Sequence, residues 1–185
     1  MSAADLLGRL VSRLDQAGIP YMIVGSFAST FHGLPRTTQD LDVVIDPTPE
    51  SLRAFLALLP ADAYYVSHEA AEEALQRRGM FNVVDLESGW KVDLIVRKHR
   101  AFSEEEFRRR VAARLLDRDV VVASAEDTLL AKLEWAAAGE SEHQVRDAQG
   151  VVAVKGEALD EAYVDRWAQV LGVTDAWLRI RGSKP

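Results

Sequence analysis

The chemistry concentrates in Asp40-Leu41-Asp42, two aspartates one residue apart at the start of an apolar run that continues Val43-Val44-Ile45. Residues two apart on a strand point to one face, so these carboxylates stand side by side while Leu41 turns toward a core. Adjacent like charges repel unless a cation neutralises them, and an oxygen-preferring divalent ion, magnesium or manganese, is the economical partner. Aspartate is disfavoured in strands, which makes an ordinary solvated strand face the weaker explanation for two in one short segment. A third carboxylate, Asp93, lies in the apolar segment Trp90 to Val96. Asp85, in the run before it, competes for that role, and the more apolar surroundings of Asp93 favour it. Three carboxylates converging from two strands can hold two metal ions that brace a transferring phosphoryl group. Upstream, Gly25-Ser26 follows the apolar run Tyr21 to Val24, where a missing side chain, exposed amides and a hydroxyl can hold phosphate oxygens; alone, the pair reads as an ordinary turn and cap.

Those residues need elements to position them. Leu6, Leu7, Leu10, Val11 and Leu14 recur at helical spacing until Gly18, which predicts an amphipathic opening helix. Tyr21 to Val24 reads as a buried strand, Ser26 to His32 as a helical turn ended by Gly33 and Pro35, and Asp40 to Ile45 as a second strand. Thr48 caps a helix with Pro49 at its first position and Leu52, Phe55, Leu56 and Leu59 as its stripe. Met80–Leu86 and Trp90–Val96, joined through Ser88-Gly89, form a hairpin signal. Ser103 to Glu106 has the capping-box pattern, and Ser124 to Asp127 is a weaker version before Leu129, Leu130 and Leu133. Two further helical patterns hold Tyr163, Trp167 and Leu171, then Trp177 and Ile180. The order describes an α+β protein: a core over residues 1–122 and a helical C-terminal region over 123–185, packed together as one domain.

With those residues in order, the chain resembles the nucleotidyltransferase superfamily, the fold of DNA polymerase beta: a strand ending in Gly-Ser, a short helix, Asp-x-Asp on the next strand and a third Asp on a later one. Arg36-Thr37-Thr38-Gln39-Asp40-Leu41-Asp42 is similar to the form found in abortive-infection (AbiEii-type) toxin transferases, as are Glu126 to Leu133 and Arg146-Asp147. The resemblance implies a small mixed sheet with flanking helices. It further implies that Gly25 and Ser26 hold the β and γ phosphates of a nucleoside triphosphate such as ATP, that Asp40 and Asp42 ligate magnesium or manganese, and that Asp93 completes the metal site and helps deprotonate an acceptor hydroxyl. The reaction implied is transfer of a nucleoside monophosphate to RNA, transfer RNA foremost, or to a protein or a small molecule such as an aminoglycoside. The alternative is a non-catalytic nucleotide-binding or interaction module, such as one partner of a toxin and antitoxin pair. Asp-x-Asp also opens the site of haloacid-dehalogenase-type phosphatases, but there the apolar strand precedes the pair, whereas here it follows.

Secondary candidates divide between function and structure. Arg36 can contact a triphosphate or RNA, or pair with a neighbouring carboxylate. Lys132 borders the apolar stripe of its helix and can reach into a site or snorkel to water. Arg97-Lys98-His99-Arg100 would place positive charge at one edge of a cleft, or be a solvated turn. Arg108, Arg109 and Arg110 each lie four after a glutamate, the helix-stabilising arrangement. His32, His68, His99 and His143 show no metal spacing, and Trp135, Trp167 and Trp177 fit packing better than base stacking.

Composition excludes other classes. The 185 residues include no cysteine, which removes disulfide scaffolds, thiolate zinc sites and catalytic thiols. A formal net charge of −7 argues against broad nucleic-acid coating, although a local basic patch could still bind RNA. No apolar run approaches the roughly 18 residues of a membrane span, and Met1 to Leu14 lacks a signal-peptide pattern, so a soluble cytoplasmic protein is expected.

Overall fold

The apolar stripe of the opening segment decides its structure. In the computed structural model, which describes residues 3–182 except 36, 39 and 140, helix α1 spans Ala3–Gln16 and buries Leu6, Leu7, Leu10 and Leu14. Gly18 then turns the chain at φ +66, with the Ile19 amide donating to the Leu14 carbonyl. The remaining helices are α2 (Gly25–His32), α3 (Pro49–Ala57), α4 (His68–Arg77), α5 (Ala101–Arg108), α6 (Ala125–Gly139), α7 (Glu142–Lys155), α8 (Glu161–Leu171) and α9 (Thr174–Arg181). The strands are β1 (Tyr21–Ile23), β2 (Asp40–Ile45), β3 (Tyr64–Val66), β4 (Met80–Asp85), β5 (Lys91–Val96), β6 (Val111–Leu115) and β7 (Arg118–Val122).

Among the described residues the strands form a seven-stranded mixed sheet in the order β3-β4-β5-β2-β1-β7-β6. The β2–β5 and β1–β7 pairs are parallel and the others antiparallel. The sheet is an α+β architecture with flanking helices, as expected. By its contacts the chain divides into two compact units, one of Met1–Ile23 with Thr38–Val122 and the other of Val24–Thr37 with Ala123–Pro185. The first holds the sheet, with a core that includes Phe55, Ile45, Leu94 and Val96, all fully buried. The second holds α2 and the C-terminal helices around Leu129, Leu133, Val151 and Trp177. No helix among the described residues is long and apolar enough to cross a membrane.

Several local expectations are realised by visible chemistry. Thr48 and Ser51 cap α3 reciprocally: the Ser51 amide donates to Thr48 Oγ1 at 3.2 Å and the Thr48 amide to Ser51 Oγ at 2.9 Å, with Pro49 opening the helix. Ser124 caps the start of α6, accepting from the Asp127 amide at 3.2 Å and donating to Asp127 Oδ2 at 2.7 Å. Other expectations are corrected. The Ser103 capping pattern does not start a helix: α5 begins at Ala101, and Ser103 is buried inside it, accepting from Arg100 Nε. Helix α4 and strands β3, β6 and β7 carry no clear sequence signal. The β6–β7 turn uses Leu116 and Asp117 at φ 49 and 60 in place of the usual glycine or asparagine. Trp177 is fully buried, whereas Trp135 is exposed and takes no part in the core.

Within the helical unit, α2 ends against α7 through two glycines. A Cβ on Gly33 would stand 2.7 Å from the Val151 amide nitrogen and 2.8 Å from the Gly150 carbonyl carbon, and one on Gly150 would stand 3.2 Å from the Leu34 amide nitrogen. Backbone cannot yield as a flexible side chain can. Gly33→Ala is therefore expected to cost about 1–3 kcal/mol through overpacking, read as a lowered midpoint in chemical denaturation.

Candidate active site

Asp40 opens β2 and, with Asp42 two residues on, faces away from the fully packed Leu41. Parallel pairing with β5 sets the rest. Asp42 lies opposite Asp93, and Asp40 lies opposite Lys91. Lys91 and Asp93 are themselves two apart on β5, so three carboxylates and one ammonium share one face of two adjacent strands. The structure thus places Asp40, Asp42 and Asp93 on one face of two adjacent strands.

The charges on this face are not left to repel. Lys91 Nζ stands 3.1 Å from Asp93 Oδ2 and 3.7 Å from Asp40 Oδ1. Its pKa is held above the usual lysine value by the hydrogen bond to Asp93, against some loss of solvation, and by the charges of Asp93, Asp40 and Asp42. Asn82, opposite Asp93 on β4, donates from Nδ2 to Asp93 Oδ1 at 2.9 Å. Asp93 is therefore buried with both oxygens engaged, while Asp40 is exposed. As the side chains stand, no group of three or more His, Cys, Asp or Glu residues among the described residues is arranged to hold a metal ion. The donor set is nonetheless all oxygen, and an ammonium already sits between two of its members, so the face accommodates positive charge of the kind a hard divalent ion supplies.

Asp85 plays another part. It is buried, and its Oδ2 accepts from Arg9 Nη2 at 2.6 Å while its Oδ1 accepts from the Ser88 amide and hydroxyl at 2.9 and 2.8 Å. Arg9 Nε and Arg13 Nη1 both donate to the Tyr64 hydroxyl, which joins α1 to β3. Asp85 is a structural tie between α1, β4 and the hairpin turn. Burial opposes its ionisation, but the Ser88 hydrogen bonds and the Arg9 charge outweigh burial and hold its pKa below the usual carboxylate value.

The basic segment after β5 is placed away from the carboxylate face. Arg97 donates from Nε to Asp46 Oδ2 at 2.9 Å, and Arg78 Nη1 reaches Asp46 Oδ1 at 3.3 Å. Asp46 follows the last residue of β2 and Asp40 is its first, so this cluster sits at the opposite strand end from Asp40 and corrects the reading that set it beside the acidic site. Arg108 pairs with Glu105, three residues back, at 2.7 Å.

In the helical unit, Gly25 adopts φ +61, a left-handed conformation that favours glycine, and opens α2. Val24 stands at the N-cap and has no side-chain acceptor to offer. Ser29 Oγ lies 3.1 Å from the Ser26 carbonyl and 3.4 Å from Asp147 Oδ2, and Lys132 Nζ donates to the same Oδ2 at 2.7 Å. Lys132 is buried, so it does not snorkel to water; it is held by Asp147. His32 Nε2 donates to the Ala123 carbonyl at 2.7 Å, and burial depresses its pKa, which makes it a neutral packing residue. Arg36 lies outside the described residues.

Sequence reasoning missed Lys91, Asn82 and Ser29. Lys91 had a local signal, since it stands two before Asp93 on one strand. Asn82 needs the hairpin register, and Ser29 meets Asp147 across 118 positions.

No protein-family model matches the chain, and no curated protein sequence matches it. Solved structures do. The antibiotic-resistance factor ANT(2'')-Ia, in complex with adenylyl-2''-tobramycin, superposes with a TM-score of 0.63 at 12% identity, over 93% of this chain and 98% of the other. A nucleotidyltransferase-like protein from Paracoccidioides brasiliensis gives 0.59 at 15% identity, over 98% and 92%. The lincosamide adenylyltransferase LnuA, bound to lincomycin, gives 0.54 at 12% identity, over 80% and 95%. The chain has the nucleotidyltransferase fold.

The Asp85 tie gives a pH-dependent expectation. Because its folded pKa lies below the unfolded value, the folded state binds fewer protons; the stabilisation is complete above the ordinary carboxylate pKa and is lost as pH falls through the depressed one. Asp85→Asn should therefore cost about 1.5–3 kcal/mol at pH 7, with the gap to the parent closing in urea melts as pH falls below about 4.

Proposed function

We propose that this chain is a metal-dependent nucleotidyltransferase that moves a nucleoside monophosphate from a nucleoside triphosphate to a hydroxyl acceptor. The observation that carries the reading is the register of β2 and β5, which stacks Asp42 against Asp93 with Asp40 on the same face, in a chain with the nucleotidyltransferase fold. Magnesium or manganese held by Asp40, Asp42 and Asp93 would supply charge neutralisation for the transferring phosphoryl group. Asp93, oriented by Asn82, would accept the acceptor hydroxyl proton. The hydroxyl oxygen bonds to the α phosphorus, the bond from that phosphorus to the bridging oxygen breaks, and pyrophosphate leaves. Gly25 and Ser26 would contact the β and γ phosphates through the open amino end of α2. Lys132, fixed by Asp147, and Arg36 would add positive charge toward the nucleotide.

RNA, transfer RNA foremost, is the acceptor favoured by the similarity of residues 36–42 to AbiEii-type toxin transferases, and an antitoxin protein is the partner that similarity suggests. A small-molecule acceptor is the second reading. It is favoured by the neighbours whose structures hold adenylyl-tobramycin and lincomycin, and by the net charge of −7, which suits a large RNA footprint poorly.

Incubation with each of the four α-phosphate-labelled ribonucleoside triphosphates and magnesium, followed by fractionation into RNA, protein and small molecules, tests the activity and finds the acceptor class. Label should appear with the parent protein and fall at least about a hundredfold in the Asp40→Asn, Asp42→Asn double variant. Metal-dependent nucleotide binding with no label in any fraction would support the non-catalytic module instead. For Lys132→Met, reduced nucleotide affinity is expected, measured by titration calorimetry; affinity equal to the parent would remove Lys132 from the nucleotide site.

A further inference from the structure

Lys91 occupies the position where positive charge is wanted. Its ammonium is within 3.1 Å of Asp93 Oδ2 and 3.7 Å of Asp40 Oδ1, on the same face as Asp42, and the other Asp93 oxygen is taken by Asn82. A cation that approaches Asp93 meets the Lys91 ammonium already at Oδ2, whereas the donor on the other oxygen is a neutral amide that can stay. An ammonium and a divalent ion cannot share one oxygen at this range without strong repulsion. Lysine suits the exchange: its charge sits on a flexible four-carbon stem, and part of the Lys91 side chain is open to solvent.

Resting on the metal-site reading above, we propose that Lys91 is a built-in counter-ion that holds the carboxylate face together without metal and must be displaced when a divalent ion binds. Two consequences follow from charge alone. Metal by itself binds weakly, since it gains the carboxylates only by expelling Lys91. Metal with nucleotide binds more tightly, since the expelled ammonium regains an anionic partner in the polyphosphate. Lys91 is thus a positioning residue that couples metal loading to nucleotide arrival.

The test is equilibrium binding of manganese(II), followed by the electron paramagnetic resonance signal of the free ion, with and without a non-hydrolysable triphosphate analogue. Lys91→Met and Lys91→Gln should bind manganese alone about tenfold or more tightly than the parent, and the gain on adding nucleotide should shrink. In chelator, both variants should melt below the parent and recover on adding manganese, which a purely structural lysine would not show. Folded variants that bind manganese alone no more tightly than the parent would overturn the proposal; Lys91→Gln, which keeps a polar side chain at a partly exposed site, carries the test where Lys91→Met fails to fold. Asp93→Asn separates the two levels. If it binds manganese as the parent does under both conditions, the metal-site reading fails, whereas Asp93-dependent binding with unchanged Lys91 variants rejects the counter-ion alone.

Discussion

The register between β2 and β5 is the constraint on which the account depends. Six consecutive pairs, from Asp40 opposite Lys91 to Ile45 opposite Val96, place Asp42 opposite Asp93. Because side chains alternate along a strand, a slip of β2 by one residue would turn Asp40 and Asp42 into the core and Leu41 and Val43 outward, leaving Asp93 of β5 without them. The buried residues that interleave with the acidic ones therefore fix the site as firmly as they fix the sheet. Fold and candidate chemistry share one set of contacts.

Concentrating carboxylates on one face has an electrostatic cost, and the chain meets it locally. Lys91 lies against Asp93 and Asp40, and Asn82 donates to the second Asp93 oxygen. Elsewhere acids are neutralised for structural ends: Asp85 by Arg9 and Ser88, Asp46 by Arg97 and Arg78. The distinction between these groups is their setting. Asp85 is closed within hydrogen bonds that tie three elements, whereas Asp40 and Asp42 stand at the open start of a strand.

Much of this was legible from residue order. Alternation in Asp40 to Ile45 gave the shared face, the apolar stripe of α1 gave its burial, and Thr48-Pro49 gave the start of α3. Apart from Lys91, most of what escaped had no local signature. Strands β6 and β7 are mostly arginine, alanine and valine around a turn without glycine, so neither composition nor turn chemistry marks them. Ser103 carried a capping signal, yet it lies buried inside α5 and accepts from Arg100 Nε. The Lys132–Asp147 pair joins residues on two helices, and only packing distinguishes a buried lysine held by an acid from one reaching to water. The position of Arg97 depends on which end of β2 its partner Asp46 occupies, which strand direction reveals and spacing does not.

The most direct test of the central claim is where a divalent ion binds. Crystals grown with manganese and a non-hydrolysable nucleoside triphosphate, measured at a wavelength where manganese scatters anomalously, would locate it without reference to turnover. An anomalous peak coordinated by Asp42 and Asp93 oxygens is expected, with Lys91 Nζ withdrawn from Asp93. A peak elsewhere, or nucleotide bound with no metal at these carboxylates, would contradict it.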